Sequence, residues 1–393
     1  MSARAAPVYL RAAMALRFSL YYAAIFIVVG VLLPFWPAWL KFRGLSAAEI
    51  GIILSVGTWI RAFANPFLGH FADRTGAHRK MIMVAAGGGL AAYMSFWLAD
   101  GFWPLFLINL VASSLFMTLI PLGENLASRA SVQYGFDYGR TRLWGSITFI
   151  LASFGAGAVV ERLGDASILW MVIAALAASF VAGFWLPERR GRNVAPVKFP
   201  ALVLLREKPF VVFMAAVSLL QASHATVYVF GTIHWRAAGI PEEVIGALWA
   251  EGVIAEIILF AFSGAVAARI SPVKLMLLAA AAGLVRWTVL AHSTDIWALV
   301  GVQWMHGLTF GAAHLAAMHY MLRHVPEHMS ASAHGLYAGL ATGMIMGLMM
   351  LMIGWMYDTH AGGTFLAMTA LSAAGGLAAI VLSRLSWRTE EDG

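Results

Sequence analysis

Twelve long apolar runs succeed one another along the chain, near 18–40, 47–72, 78–99, 102–127, 137–161, 166–187, 209–233, 242–268, 273–292, 296–322, 332–357 and 363–386. In hydrocarbon every backbone N–H and C=O must find a partner inside its own segment or in a closed barrel. The runs lack the period-two alternation of barrel strands, so they predict helices, each long enough to cross a bilayer. A water-soluble core could not hide this much apolar surface: 61% of the residues are hydrophobic, 11% are charged and the mean hydropathy is +0.80. The first run is too long for a signal-peptide core and lacks a convincing cleavage site, so it is expected to be a retained helix.

The net charge of +7 and the pI near 9.8 follow from topology. Basic residues gather in alternate connections: Arg4, Arg11 and Arg17; Arg74, Arg79 and Lys80; Arg129, Arg140 and Arg142; Arg189, Arg190, Arg192, Lys198, Arg206 and Lys208; then Arg269, Lys274, Arg323, Arg384 and Arg388. The opposite loops carry only Lys41, Arg43, Arg162 and Arg236. The positive-inside rule then puts both termini in the cytoplasm of a multi-pass protein of the cell (inner) membrane, and no nucleic-acid partner is needed to explain the charge. With no cysteine, disulfides, thiolate catalysis and Cys-based metal sites are excluded.

The halves of the chain repeat each other at an offset of 195. GLSAAEIGIILSVGTWIRAFANPFLGHFADR (44–74) faces GIPEEVIGALWAEGVIAEIILFAFSGAVAAR (239–269), so that Gly44, Gly51, Gly57, Gly69 and Arg74 meet Gly239, Gly246, Gly252, Gly264 and Arg269, and Asp100 meets Asp295. The polar, proline-bearing stretch 188–208 reads as a linker between an N-terminal bundle (1–187) and a C-terminal bundle (209–393). The expected fold class is an all-α membrane protein with twelve transmembrane helices in two pseudo-symmetric six-helix bundles. Transporters built from such parallel repeats bind substrate between the halves near the midplane. The same offset sets Arg61 of the second span against Glu256 of the eighth, opposite charges at corresponding intramembrane positions, and neither charge is expected to face lipid.

GHFADRTGAHRK (69–80) resembles the signature loop between helices 2 and 3 of the major facilitator superfamily, with Gly69, Asp73, Arg74, Gly76, Arg79 and Lys80 as the gating motif. Gly69 permits close helix approach, and Asp73 can meet a basic side chain or the positive end of a helix. PFWPAWLKFRGLSAAEIG (34–51) and FGAAHLA (310–316) further resemble the phenylpropionate permease branch, related to lactose permease and nucleoside symporters. The resemblance implies the major facilitator fold and proton-coupled uptake of a small organic molecule, an aromatic carboxylate being the branch's named example.

Lactose permease extends the comparison to single residues. PLGE (121–124) and GRTRLWG (139–145) resemble its P-x-x-E and G-R-x-R-x-x-G segments, which implies that Glu124 and Arg142 contact substrate. Arg286 and His306 match its helix 9 arginine and helix 10 histidine. Its stacking tryptophan corresponds to Phe149, its proton-carrying helix 10 glutamate to Thr309 and its helix 8 glutamate to Val253. Galactoside recognition is therefore not implied. The coupled proton must sit elsewhere, with Glu256, one turn past Val253, as the candidate and Arg286 beside it in the coupling set.

Arg61, Arg142, Arg286, Glu124, Glu251 and Glu256 lie in or at the edge of the spans. Intramembrane charges mark pathways or lock helices together by mutual pairing, and both readings stand for each of the six. Gln303, His306, Phe310 and His314 form one stripe of the tenth span, and Gln221, His224 and Tyr228 another on the seventh. A single histidine in such a stripe reads as an interhelix hydrogen bond; the two stripes together read as cavity lining. The expected substrate-binding set is Arg61, Glu124, Arg142, Trp144, His306, His314, Gln221 and Tyr228, with Trp144 as a stacking residue. Trp36, Trp39 and Trp387 are expected as interfacial anchors. Gly335, Gly339, Gly343 and Gly347 recur every four residues on the eleventh span, a pattern that reads as close helix packing. His319, His324 and His328 have metal-compatible spacing but no supporting carboxylate, so no metal and no cofactor is expected. Nothing resembles a Ser-His-Asp setting or a phosphate loop, so no enzyme is expected. The expected partners are a small organic substrate, protons and the lipid bilayer, the chain acting as a monomer. Export by the same fold, or sugar or nucleoside symport, are the alternative readings.

Overall fold

A computed structural model describes residues 7–60, 77–188 and 201–385, and the secondary structure in these segments is helical throughout. The membrane helices are α1 (Val8–Phe42), α2 (Ala47–Ile60), α3 (His78–Ser95), α4 (Phe102–Tyr134), α5 (Tyr138–Leu163) and α6 (Ala166–Phe184). They continue with α7 (Lys208–Ala222 and Ala225–Ala237), α8 (Glu242–Ala261, then Ser263–Arg269), α9 (Pro272–His292) and α10 (Ile296–Gln303, Gly307–Ala312, Ala313–His324). The last two are α11 (Ser330–Leu336, Tyr337–Ile345, Met346–His360) and α12 (Thr364–Leu382). All twelve expected spans are therefore helical within the described residues.

The helix ends follow local chemistry. Asp137, Ser271 and Asp295 cap α5, α9 and α10 with side-chain oxygens. At α2, Ser46 and Glu49 form a reciprocal capping box: Glu49 Oε2 accepts from the Ser46 backbone N–H at 2.8 Å, and Ser46 Oγ from that of Glu49 at 3.3 Å. The repeat-equivalent Gly44 and Gly239 both adopt positive φ, 83° and 80°, at the same turn before α2 and α8. Two helices outrun their apolar spans, since hydropathy marks the membrane-crossing part and not where hydrogen bonding stops. At its start α1 exposes Val8 and Tyr9, and α4 runs on to a left-handed Gly135.

Contacts between Cα atoms group the chain into two compact units. One contains 7–45, 77–188 and 241–250, the other 46–60, 201–240 and 251–385. In the first, α5 and α6 pack on α1, and α4 and α6 pack on α3. In the second, α11 and α12 pack on α7, and α10 and α12 pack on α9. The pairings are the same with six added to every helix number, so the sequence repeat is also a packing repeat.

The units exchange corresponding pieces of the two sequence halves, α2 for the first turns of α8, and glycine explains both contacts. A Cβ on Gly51 would lie 2.8 Å from Gly354 Cα and 2.9 Å from Met350 O, so α2 and α11 touch backbone to backbone. The repeat-equivalent Gly246 of α8 meets the Ser153 carbonyl of α5 in the same way. Gly347 is also a packing site, against the Trp59 ring, whereas Gly335 and Gly339 face open space, so close packing does not extend along the whole glycine series.

Trp36 and Trp39 are buried and do not present their rings to lipid as anchors would. They stack at 4.6 Å inside the first unit, 4% and 2% exposed, with Trp36 Nε1 donating to Asn109 Oδ1 at 2.9 Å. They turn inward because α1 is the helix on which α4, α5 and α6 converge. Trp387 lies outside the described residues.

Candidate functional site

The second unit buries an arginine. Arg286 of α9 is 1% exposed and uses both terminal nitrogens. Nη2 donates to Gln303 Oε1 at 2.8 Å, and Nη1 donates to Thr309 Oγ1 at 2.8 Å and to His306 Nδ1 at 3.1 Å. The guanidinium lies 4.6 Å from the Trp287 ring centroid, and that indole is held by Ser223 and Ser372.

Donor and acceptor chemistry fixes every proton in this cluster. Guanidinium nitrogens only donate, so His306 Nδ1 is an acceptor and the neutral ring carries its proton on Nε2. His224 Nδ1 lies 3.1 Å from the Gln221 carbonyl, which only accepts, so His224 is protonated there and presents Nε2 as an acceptor. Thr309 Oγ1, 3.1 Å from that Nε2, accepts from Arg286 and donates to His224. An ionised carboxylate at position 309 could accept but not donate. A hydroxyl at position 309 serves both contacts at once.

The His306 Nε2–H faces Glu256 of α8, Nε2 to Oε2 3.7 Å, with both side chains partly open. Gly252, one turn before Glu256, sits against the His306 ring, and Gly307 sits against the Ala255 carbonyl, so small residues let α8 and α10 approach where these groups meet. The backbone is also irregular here. α7 breaks at 223–224, and α10 breaks at 304–306 and then runs π-helical over Gly307–Ala312. Such interruptions are frequent at functional sites and at transporter binding sites.

The first unit carries its own charged pair. Arg142 Nε donates to Glu124 Oε1 at 3.2 Å, with the side chains 28% and 40% exposed. The guanidinium lies 4.1 Å from the Phe26 centroid and 5.3 Å from that of Tyr22, so α1 provides its aromatic platform. A Cβ on Gly145 would come within 2.9 Å of Arg142 Nη1, which explains the glycine three residues on.

Most of the expected site residues thus fall into two clusters: Glu124 with Arg142, and Glu256, Arg286 and His306 with Gln221, Tyr228 and His314 around them. Tyr228 stacks on His224 at 5.6 Å. Trp144 joins neither. It is 50% exposed on α5, because two residues of helix turn it about 200° from Arg142. Glu251 is half-buried, with Oε1 lacking a hydrogen-bond partner among the described residues. Arg61, Gly69, Asp73, Arg74 and Gly76 lie outside the described residues. Arg79 and Lys80 open α3, with Lys80 Nζ 4.0 Å from Glu188 at the surface. Among the described residues no group of three His, Asp or Glu side chains could hold a metal ion. Sequence reading missed Phe26, Tyr22 and Tyr337. The i, i+4 aromatic pair Tyr22 and Phe26 was a usable signal; Tyr337 had none.

The model of the MFS_1 like family matches residues 15–367. The chain belongs to that family. A probable 3-phenylpropionic acid transporter of Escherichia coli K12 is 32% identical over 364 residues, 90% of this chain and 95% of that one. The maltose permease of Geobacillus stearothermophilus is 26% identical over 372 residues, 93% of this chain and 94% of the permease. The crystal structure of the nucleoside transporter NupG matches with a TM-score of 0.80 over 94% of this chain and 98% of that one, at 17% identity, a likeness of fold. This member of the MFS_1 like family is accordingly a multi-pass membrane transporter of the major facilitator type, with relatives that are permeases and not enzymes.

Proposed function

We propose that the protein is a proton-coupled symporter for a small aryl carboxylate, working as a monomer by alternating access, with both termini in the cytoplasm. The name of the 32% identical relative supports the substrate class, and the lysine and arginine distribution supports the orientation. The observation that carries the coupling is the Glu256 carboxylate facing a histidine whose tautomer is fixed by a buried arginine.

His306 directs one N–H toward the Glu256 carboxyl. A substrate carboxylate that takes this N–H comes within about 5 Å of Glu256, and whenever Glu256 is ionised the two negative charges repel by roughly 3 kcal/mol at an effective dielectric near 20. A proton on Glu256 removes that repulsion. Substrate anion and proton therefore bind better together than apart, which is the condition for symport. Arg142, on its aromatic platform beside Glu124, is a second recognition point for anion or ring. Trp144 is left out because it turns away.

A monoanion that moves with one proton carries no net charge. Accumulation then follows the pH gradient, about tenfold per unit, and ignores the membrane potential. The test is reconstitution into liposomes with an internal pH dye. Phenylpropionate added outside should acidify the lumen, whereas maltose and uridine should not. No acidification with phenylpropionate, or acidification with one of the other two, refutes the reading.

A further inference from the structure

One element of the second unit goes beyond binding a carboxylate. On α10, His306, Phe310 and His314 stack as a comb of parallel rings, with centroids 5.3 Å and 6.1 Å apart and interplanar angles of 8° and 1°. All three are partly exposed. The repeat places Val111, Leu115 and Leu119 at the corresponding positions of α4, so the fold itself does not require the comb.

His314 is held from behind as His306 is. Its Nδ1 lies 3.1 Å from Tyr337 Oη, and Gln221 Nε2 donates to the same oxygen at 3.1 Å. Gln221 and Tyr337 are 1% and 5% exposed. With an amide nitrogen already donating to the phenol oxygen, the phenol's own proton has His314 Nδ1 as its acceptor. The imidazole proton is then on Nε2, which has no hydrogen bond among the described residues and is not a buried orphan. His306 and His314 therefore present N–H donors on either side of a phenyl ring, their ring centroids 5.3 Å and 6.1 Å from that of Phe310. That separation suits an aryl ring with a short carboxyl chain plus a hydrogen bond at each end.

We propose that His314 is a second polar anchor, donating its Nε2–H to an oxygen on the aryl ring, so that the preferred substrates are ring-oxygenated aryl carboxylates. Tyr337 and Gln221 are its positioning residues. The inference rests on the aryl-carboxylate reading above: the carboxylate goes to the His306 and Glu256 end, the ring stacks beside Phe310, and the ring oxygen meets His314.

The test compares affinities of the purified full chain for phenylpropionate and para-hydroxyphenylpropionate by titration calorimetry. Wild type should favour the hydroxylated ligand about fivefold, the worth of one neutral hydrogen bond. In His314→Phe the ratio of the two affinities should fall to about one, and in His314→Gln, which keeps a donor, part of the preference should remain. Tyr337→Phe removes the proton that fixes the tautomer and should lower the ratio with His314 in place. A wild-type ratio of one, or an equal preference in wild type and His314→Phe, overturns the subsite but leaves phenylpropionate binding and the proposed function standing. If neither ligand binds wild type, the aryl-carboxylate reading falls and the subsite with it.

Discussion

Replacing Thr309 by valine removes one hydroxyl and almost no volume, so it isolates the relay between Arg286 and His224. Oγ1 lies 2.8 Å from Arg286 Nη1 and 3.1 Å from His224 Nε2, and the residue is 2% exposed. Valine leaves a guanidinium N–H with one acceptor fewer and the His224 lone pair without a donor. Each buried orphan costs about 1–3 kcal/mol, so Thr309→Val should lose roughly 2–6 kcal/mol of stability. Thr309→Ser keeps both bonds and loses one methyl, about 1 kcal/mol. Thr309→Glu should satisfy Arg286 but not His224, and adds volume to a packed site. Thermal unfolding of the three variants in detergent should rank serine nearest wild type, with valine well below it. A valine variant as stable as the serine one would refute the proton assignment of the cluster, because a hydroxyl with two working hydrogen bonds cannot be removed without cost.

Other perturbations test other parts of the structure. Gly51→Ala and Gly246→Ala each drive a Cβ into backbone of a neighbouring helix and should cost about 1–3 kcal/mol, whereas Gly301→Ala, with nothing within 4 Å, should be neutral or stabilising in the same unfolding assay. Glu161 of α5 accepts from the Glu242 backbone N–H at 2.7 Å, and so caps α8 where Pro241 and Val244 have replaced the serine and glutamate of the α2 capping box; Glu161→Ala should cost about 1 kcal/mol and Glu161→Gln less. Arg142→Lys keeps the charge but loses the flat face over Phe26 and the Nε–H to Glu124, and should lower phenylpropionate uptake about tenfold, read as uptake rate against substrate concentration.

The membrane class, the helices and their pairwise repeat were legible because hydropathy and the glycine register are local signals read along the chain. Gly51 and Gly246 stood out by spacing alone, and the structure shows why: both are points of backbone contact. The charged residues were legible for the same reason, since a charge in an apolar run is conspicuous. What the sequence could not supply was direction. Trp144 is a neighbour of Arg142 in sequence but lies across the helix from it, while Phe26, more than a hundred residues earlier, carries the guanidinium. Trp36 and Trp39 have the composition of an interfacial belt, yet α1 turns them into the core. Thr309 read only as a missing carboxylate; its role depends on the angle of two side chains from α7 and α9 and has no local signature. Tyr337, which orients His314, was hidden in a glycine-rich stretch for the same reason.

The claim on which the rest depends is that Glu256 carries the coupled proton. It is tested by phenylpropionate accumulation in liposomes under a pH gradient of about one unit, acid outside, set against substrate exchange with no gradient. Wild type should concentrate the substrate about tenfold. Glu256→Gln resembles the protonated carboxyl permanently, so it should still exchange substrate across the membrane yet never raise the internal concentration above the external one. A Glu256→Gln protein that accumulates phenylpropionate to the wild-type level would place the proton on another group.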